Sequence, residues 1–229
     1  MNEQHRQKRL RAWRFFLSLP RSLWYNLRLL PFGKALRMPI LVSHRTVVQN
    51  LSGKVIIQSQ KPKMGLVKIG FGTYQGTDFR NNRTYLNIRG VFNIEDKCNI
   101  GAGSAIEVSE TGVLTVGRDF NLGPNSLIVC HKSITFGNDV LTSWNCTFMD
   151  TDQHRLVDTS GNCCNPDREI LVGNNVWFGC HCLVTKGTRL ADNTTVGAGS
   201  RVCGTHNDSY TVIAGNPAVV VKNGVAREL

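Results

Sequence analysis

The residues best equipped for chemistry lie in one short stretch, Asp150-Thr151-Asp152-Gln153-His154-Arg155-Leu156. An imidazole can take a proton from a hydroxyl near neutral pH, because its ordinary pKa lies close to that range. A carboxylate nearby can orient the ring and offset the charge it gains, so Asp152 and Asp150 are candidate partners of His154. The plainer role of either Asp is to cap a turn of its own loop. Just upstream stand Trp144 and Asn145, an indole face for stacking and an amide that can donate to a hydroxyl or a carbonyl. Trp144, Asn145 and Asp150 are therefore the candidate acceptor contacts. Eight cysteines are present but no CxxC pair, and Cys163-Cys164 and Cys180-His181-Cys182 are too tightly spaced for the usual zinc ligand sets. They read as reduced thiols, several of them filling small inward positions.

These residues need a scaffold, and its signature is a period of six. Val172, Phe178, Val184, Leu190, Val196 and Val202 recur at that interval, with Gly173, Gly179 and Gly197 following three of them. Upstream the same interval gives Ile88, Ile94, Ile100 and Ile106, and a run in shifted phase gives Val116, Leu122, Ile128 and Ile134. Six matches neither the 3.6 of a helix nor the 2 of a plain strand. It suits a triangular solenoid in which each short strand sends one aliphatic side chain into a narrow prism. Tight corners must follow, and Asn138-Asp139, Asn174-Asn175 and Asp192-Asn193 stand where they are due. Residues 150–169 break the rhythm with polar residues, Gly161 and Pro166. A loop leaving a rigid scaffold is where function is expected.

Three further motifs occur in order: Val176-Trp177-Phe178-Gly179, Gly197-Ala198-Gly199-Ser200 and Ala214-Gly215-Asn216-Pro217-Ala218. Together they resemble the C-terminal signature of the hexapeptide-repeat acetyltransferases, particularly the polysaccharide and colanic-acid type of sugar O-acetyltransferase, over residues 65–222. The resemblance implies a mainly β, left-handed parallel β-helix, a homotrimer, and acetyl-CoA bound between neighbouring subunits. It makes His154 the general base, and either Asp152 or Asp150 remains available to orient the ring. It places Trp177, Gly179, Cys180, Ala198, Cys203, Gly204 and Lys222 along the CoA slot. The implied reaction is O-acetylation of a sugar hydroxyl on a surface polysaccharide or its lipid-linked precursor. N-acetylation of an amino nucleotide sugar and a non-catalytic β-helix scaffold are the alternatives. Two departures stand out. Cys203-Gly204 replaces a Thr-Lys pair at the nucleotide end. Gly123 and His131 stand where the galactoside and maltose branch has an Asn and an Asp. Some proteins of this fold hold zinc through three histidines, and His131, His154 and His181 are present. The accompanying Arg, Asp and Gln pattern is not, so no metal is expected.

Ahead of the repeat, residues 1–37 read as a basic, amphipathic extension of one or two short helices interrupted at Pro20. Leu10, Trp13, Phe16 and Leu17, then Leu23, Trp24, Leu27 and Leu30, form its apolar faces. Residues 38–64 read as edge strands that start or cap the solenoid, and 223–229 as a tail. Residues 1–50 carry +9 of the net +11 charge. The extension is expected either to pack on the first coil or to touch an anionic membrane. Its aromatic residues follow a helical face instead of alternating as stacking platforms, so no nucleic-acid partner is expected. Apolar runs such as Phe15-Phe16-Leu17 and Val219-Val220-Val221 are too short to cross a bilayer, and no secretory signal is read. The expected location is the cytoplasm, with peripheral contact on the inner membrane face.

Overall fold

A computed structural model describes residues 3–60, 62–72 and 82–228, and for residues 3–12 the backbone alone. Among the described residues 23 strands form three sheets of nine, seven and seven strands. Sheet A begins with Ile40–Val42, sheet B with Val47–Asn50 and sheet C with Lys54–Ile57. As far as Thr195–Val196, each strand pairs in parallel with the strand three places later in the chain, as Ile40–Val42 does with Val67–Ile69. One strand from each sheet makes a coil, and seven coils stack at 40–57, 67–94, 98–116, 120–136, 141–172, 177–190 and 195–206. The hand is left, against the usual right-handed crossover.

The six-residue period is the inside of this prism. Every residue of the three aliphatic runs is buried, from Ile88 to Val202. At the centre Phe120 and Phe136 meet within the fourth coil, and Phe148 and Phe178 follow from the fifth and sixth, with successive ring centroids 4.8–5.1 Å apart. The corners need left-handed backbone, and side chains with a local hydrogen bond supply it. Asp119, Asp139, Asn175 and Asn193 occupy the corner from sheet C to sheet A, while Asn125, Asn145 and His181 occupy that from A to B, all at positive φ. Gly123 is needed for a different reason: a Cβ there would lie 2.0 Å from the Ser143 carbonyl oxygen of the coil below. Cys146 and Cys182 are buried thiols whose Sγ atoms both donate to the Gly179 carbonyl at 3.1 Å.

Of the two roles read for the strands at 40–57, the structure shows the first: their three strands pair in register with the second coil, so the solenoid begins at Ile40. The cap is α1, Glu3–Leu29, one 27-residue helix that runs through Pro20. It closes the open edge of Ile40–Val42 with polar side chains. Asn26 Nδ2 donates to the Ile40 carbonyl at 2.7 Å, and the Ile40 N–H donates to Asn26 Oδ1 at 3.1 Å. The Val42 N–H donates to Ser22 Oγ at 2.9 Å, and the His44 N–H to Ser18 Oγ at 3.1 Å. A strand edge has unpaired N–H and C=O groups, so the residues that cover it must bond as well as bury. Tyr25, Leu30 and Ala35, the last in α2 (Phe32–Ala35), plug the core behind them. The expected apolar face of Trp13, Phe16, Leu17, Leu23, Trp24 and Leu27 is the one left outside; the side chain of Leu10 lies outside the described residues.

At the other end Thr211–Gly215 and Ala218–Asn223 form an antiparallel hairpin, with Asn216-Pro217 as its turn. The tail then returns to the coils, where Arg227 donates to the Asp139 carbonyl at 2.5 Å and to Asn175 Oδ1 at 3.2 Å. Two connections interrupt the coils. One is the expected loop after Thr147–Met149. The other runs from 70 to 84 between Val67–Ile69 and Tyr85–Ile88, and part of it lies outside the described residues.

Candidate active site

The loop carrying His154 leaves the prism at the corner between sheets B and C in the fifth coil. Its imidazole is exposed, and its backbone N–H donates to the Asp152 carbonyl at 2.7 Å. Asn165 clasps the loop across its base. Its Nδ2 donates to Asp152 Oδ2 at 2.8 Å and to the His154 carbonyl at 2.9 Å, while its Oδ1 accepts from the Leu156 N–H at 2.6 Å. Lys186, on the same corner of the next coil, donates to Asp152 Oδ2 at 2.6 Å and to the Asn165 carbonyl at 2.7 Å. The Lys186 ammonium, then the Asn165 amide, hold the Asp152 carboxyl below the usual aspartate range. Asp152 thus spends its carboxylate on anchoring the loop, not on the imidazole.

Asp150 is corrected more sharply. Its carboxylate is fully buried and accepts the backbone N–H groups of His131, Lys132 and Ser133 at 2.7–2.8 Å. A carboxylate so enclosed cannot reach an acceptor or the His154 ring; it pins the root of the loop to the coil above. His131 stands on the same corner, its Nε2 enclosed and 3.9 Å from Glu107 Oε1, with Arg89 reaching the same Glu107 at 3.8 Å. His181 lies on the other side of sheet B, so the three histidines weighed as metal ligands sit on two corners.

Trp144 and Asn145 belong to that second corner, between sheets A and B. Asn145 Oδ1 accepts from Asn125 Nδ2 at 2.5 Å, and its own amide lies 3.3 Å from the His181 ring, so it forms part of a ladder down the corner. Trp144 and Trp177 line a cleft of about 530 Å³ together with Phe71, Leu141, Asn121 and Arg227. The Trp177 indole N–H donates to Ser143 Oγ at 3.4 Å. Gly179 and Cys180 form the turn at this corner in the sixth coil, and Ala198 lies in the turn beneath. A Cβ on Gly179 would stand 2.6 Å from the Ala198 nitrogen. Cys203 and Gly204 turn the B–C corner of the seventh coil, and Lys222 is exposed on the last strand opposite Val212.

The sequence candidates therefore fall into two groups. His154, Asp152, Asp150, Cys203 and Gly204 are on one corner; Trp144, Asn145, Trp177, Gly179, Cys180 and Ala198 are on the other. Sheet B separates them by roughly 15 Å, five residues at strand rise from Asn145 to Asp150. Lys186, Asn165 and Arg227 were missed. Lys186 had a signal: it follows buried Val184 by two residues, as Asp150 follows Phe148, and the register stacks those positions. Asn165 and Arg227 had none, since each acts by returning to a coil remote in sequence.

No protein-family model matches the chain. It is 35% identical over 89 residues to the galactoside O-acetyltransferase of Escherichia coli (strain K12); the match covers 38% of this chain and 43% of that protein. It is 24% identical over 200 residues to an uncharacterized 24.8 kDa protein in cps region of Klebsiella pneumoniae, covering 87% and 86% of the two. Among solved structures, the polySia specific acetyltransferase NeuO superposes with a TM-score of 0.57 at 21% identity, over 82% of this chain and 84% of that one. At that identity the likeness speaks for the fold. The chain has the fold of that protein, a left-handed parallel β-helix built from a six-residue repeat.

Proposed function

We propose that the chain is an acetyl-CoA-dependent O-acetyltransferase acting on a sugar hydroxyl of a surface polysaccharide or its lipid-linked precursor. The observation that carries this reading is the division of the site. An exposed imidazole stands on a loop that is clasped to one corner of the prism, and an aromatic cleft with close-packed turns lies along another. A neighbouring copy brings the two together when the B–C corner of one subunit packs against the A–B corner of the next, as in a trimer. His154 of one subunit removes the proton of the acceptor hydroxyl, and the oxygen attacks the thioester carbonyl. Backbone amides at the coil turns stabilise the tetrahedral oxyanion. The C–S bond then breaks, and the imidazolium returns its proton to the departing CoA sulfur. Asp152 and Lys186 act at one remove, by holding the loop. Trp144 and Trp177 give an apolar wall for a sugar ring or the pantetheine arm, and Arg227 and Lys222 are cations within reach of phosphate.

Release of CoA thiol is the direct test, with acetyl-CoA as donor and two sets of sugar acceptors, one hydroxyl-only and one carrying a free amine. Turnover with the first set, reduced about 10²–10⁴-fold in His154→Ala while acetyl-CoA still binds, is the expected result. Turnover confined to amine acceptors would assign N-acylation. No thiol release with any acceptor would leave a binding scaffold, and His154→Ala within about threefold of wild type would remove the base from this residue.

A further inference from the structure

α1 has two faces of opposite character, and the fold uses only one of them. Ser18, Ser22 and Asn26 point at the first strand and complete its hydrogen bonds. At 100° per residue, Trp13, Phe16, Leu17, Leu23, Trp24 and Leu27 gather on the opposite side within an arc of about 120°. All six are exposed, Trp13 by 63%, Phe16 by 61% and Trp24 by 57%. In the adjoining α2 segment Phe32 and Leu36 are exposed by 69% and 60%. Because the polar face binds the edge of the first coil, the apolar face looks away from the stack of coils, across the end of the solenoid. An apolar patch of this kind, rimmed by charge, marks a surface that meets something.

The charge around it says what. Residues 1–50 hold ten Lys or Arg against the single acid Glu3. Arg28 and Arg37 are exposed beside the patch, while Arg21 is tied to the His44 and Thr46 carbonyls. A second copy meeting this face end to end would oppose two such cationic ends and be repelled. An anionic bilayer offers both what the patch lacks: an apolar phase for Trp, Phe and Leu, and negative headgroups for the arginines. Indole rings favour that boundary, apolar on one side and wet on the other. No helix among the described residues is long and apolar enough to cross a membrane. We propose that α1 is a peripheral docking surface for an anionic lipid bilayer, lying in the plane of the headgroups with the solenoid standing on it. This stands on α1 alone and is independent of the acyl-transfer reading.

The test is co-sedimentation of the full chain with vesicles of phosphatidylcholine alone, or of equal parts phosphatidylcholine and phosphatidylglycerol. Binding is expected on the anionic vesicles at low salt, falling at least about tenfold on the neutral ones and in about 0.5 M salt. Trp13→Glu/Phe16→Glu/Trp24→Glu should lose at least about tenfold in partition with its circular dichroism and melting unchanged, since these side chains face away from the coils. Arg28→Glu/Arg37→Glu should lose the preference for anionic lipid. Absence of binding at low salt, equal binding to both vesicles, or wild-type binding by the triple variant would overturn the proposal. So would light scattering that shows end-to-end doubling of the assembly abolished by the triple variant, which would give the face to a second copy.

Discussion

An exposed imidazole is useful as a base only if something fixes where it stands. For His154 that duty falls on backbone and loop contacts: Asn165 holds its carbonyl, Asp152 accepts its N–H, and Lys186 ties Asp152 and Asn165 to the next coil. Beneath them the buried Asp150 fixes the point at which the loop departs. Lys186→Met removes the tie without touching the imidazole. It should lower kcat about 10- to 100-fold while leaving the affinity for acetyl-CoA near wild type, the pattern of a misplaced catalytic group. Steady-state kinetics beside a binding titration checks this; an unchanged kcat would mean that the loop needs no anchor. The loop that carries His154 was legible in the sequence because a polar stretch interrupts a strict repeat. The roles of its two aspartates were not. Asp150 and Asp152 look alike in the chain, yet one faces three N–H groups inside the corner and the other an ammonium outside it.

At the scale of elements the period of six translated directly into buried positions, because each short strand turns alternate side chains inward and the next strand repeats the pattern about six residues on. The helix in front of the repeat was legible as amphipathic, but its pattern left open whether Trp13, Phe16 and Trp24 cover the coil or face outward. The open edge of Ile40–Val42 demands hydrogen bonds, and Ser18, Ser22 and Asn26 meet that demand. Asn26→Leu should therefore destabilise more than a change on the apolar face. It strips partners from the Ile40 N–H and carbonyl, at about 1–3 kcal/mol for each buried group. Trp24→Ala, on the exposed side, should stay within about 0.5 kcal/mol. Thermal or urea unfolding of the two variants gives the order, and the reverse order would return the apolar face to the coil. The cysteines offer a second check on the prism. Burial pushes the Cys98 thiol up to about 12, and burial together with the neighbouring Asp150 does the same for Cys130. A disulfide reagent should thus label Cys163 and Cys164 at once, and Cys98, Cys130, Cys146 and Cys182 only on unfolding. Rapid labelling of any of these four in the native protein would contradict the coil packing.

At the scale of the whole molecule the parts of the proposed site stand apart on one prism. His154 and the aromatic cleft lie on different corners, with the width of sheet B between them. In a trimer packed side by side, every subunit gives one corner to each neighbour. Such a trimer also sets three copies of α1 on the same end, so that one membrane-facing surface is shared by three helices. In the proposed trimer these partners belong to different chains, and no spacing in the sequence shows which residues meet. Mixing two disabled chains measures the arrangement most directly. His154→Ala removes the base from one corner, and Ala198→Trp fills the slot on the other at an exposed turn position. Each variant alone should be inactive in CoA release, and trimers unfolded together and refolded as a mixture should regain activity that neither parent has, since some interfaces then join an intact His154 to an intact Ala198 turn. A mixture as inactive as its parents, in trimers shown to contain both chains, would contradict a site shared between subunits.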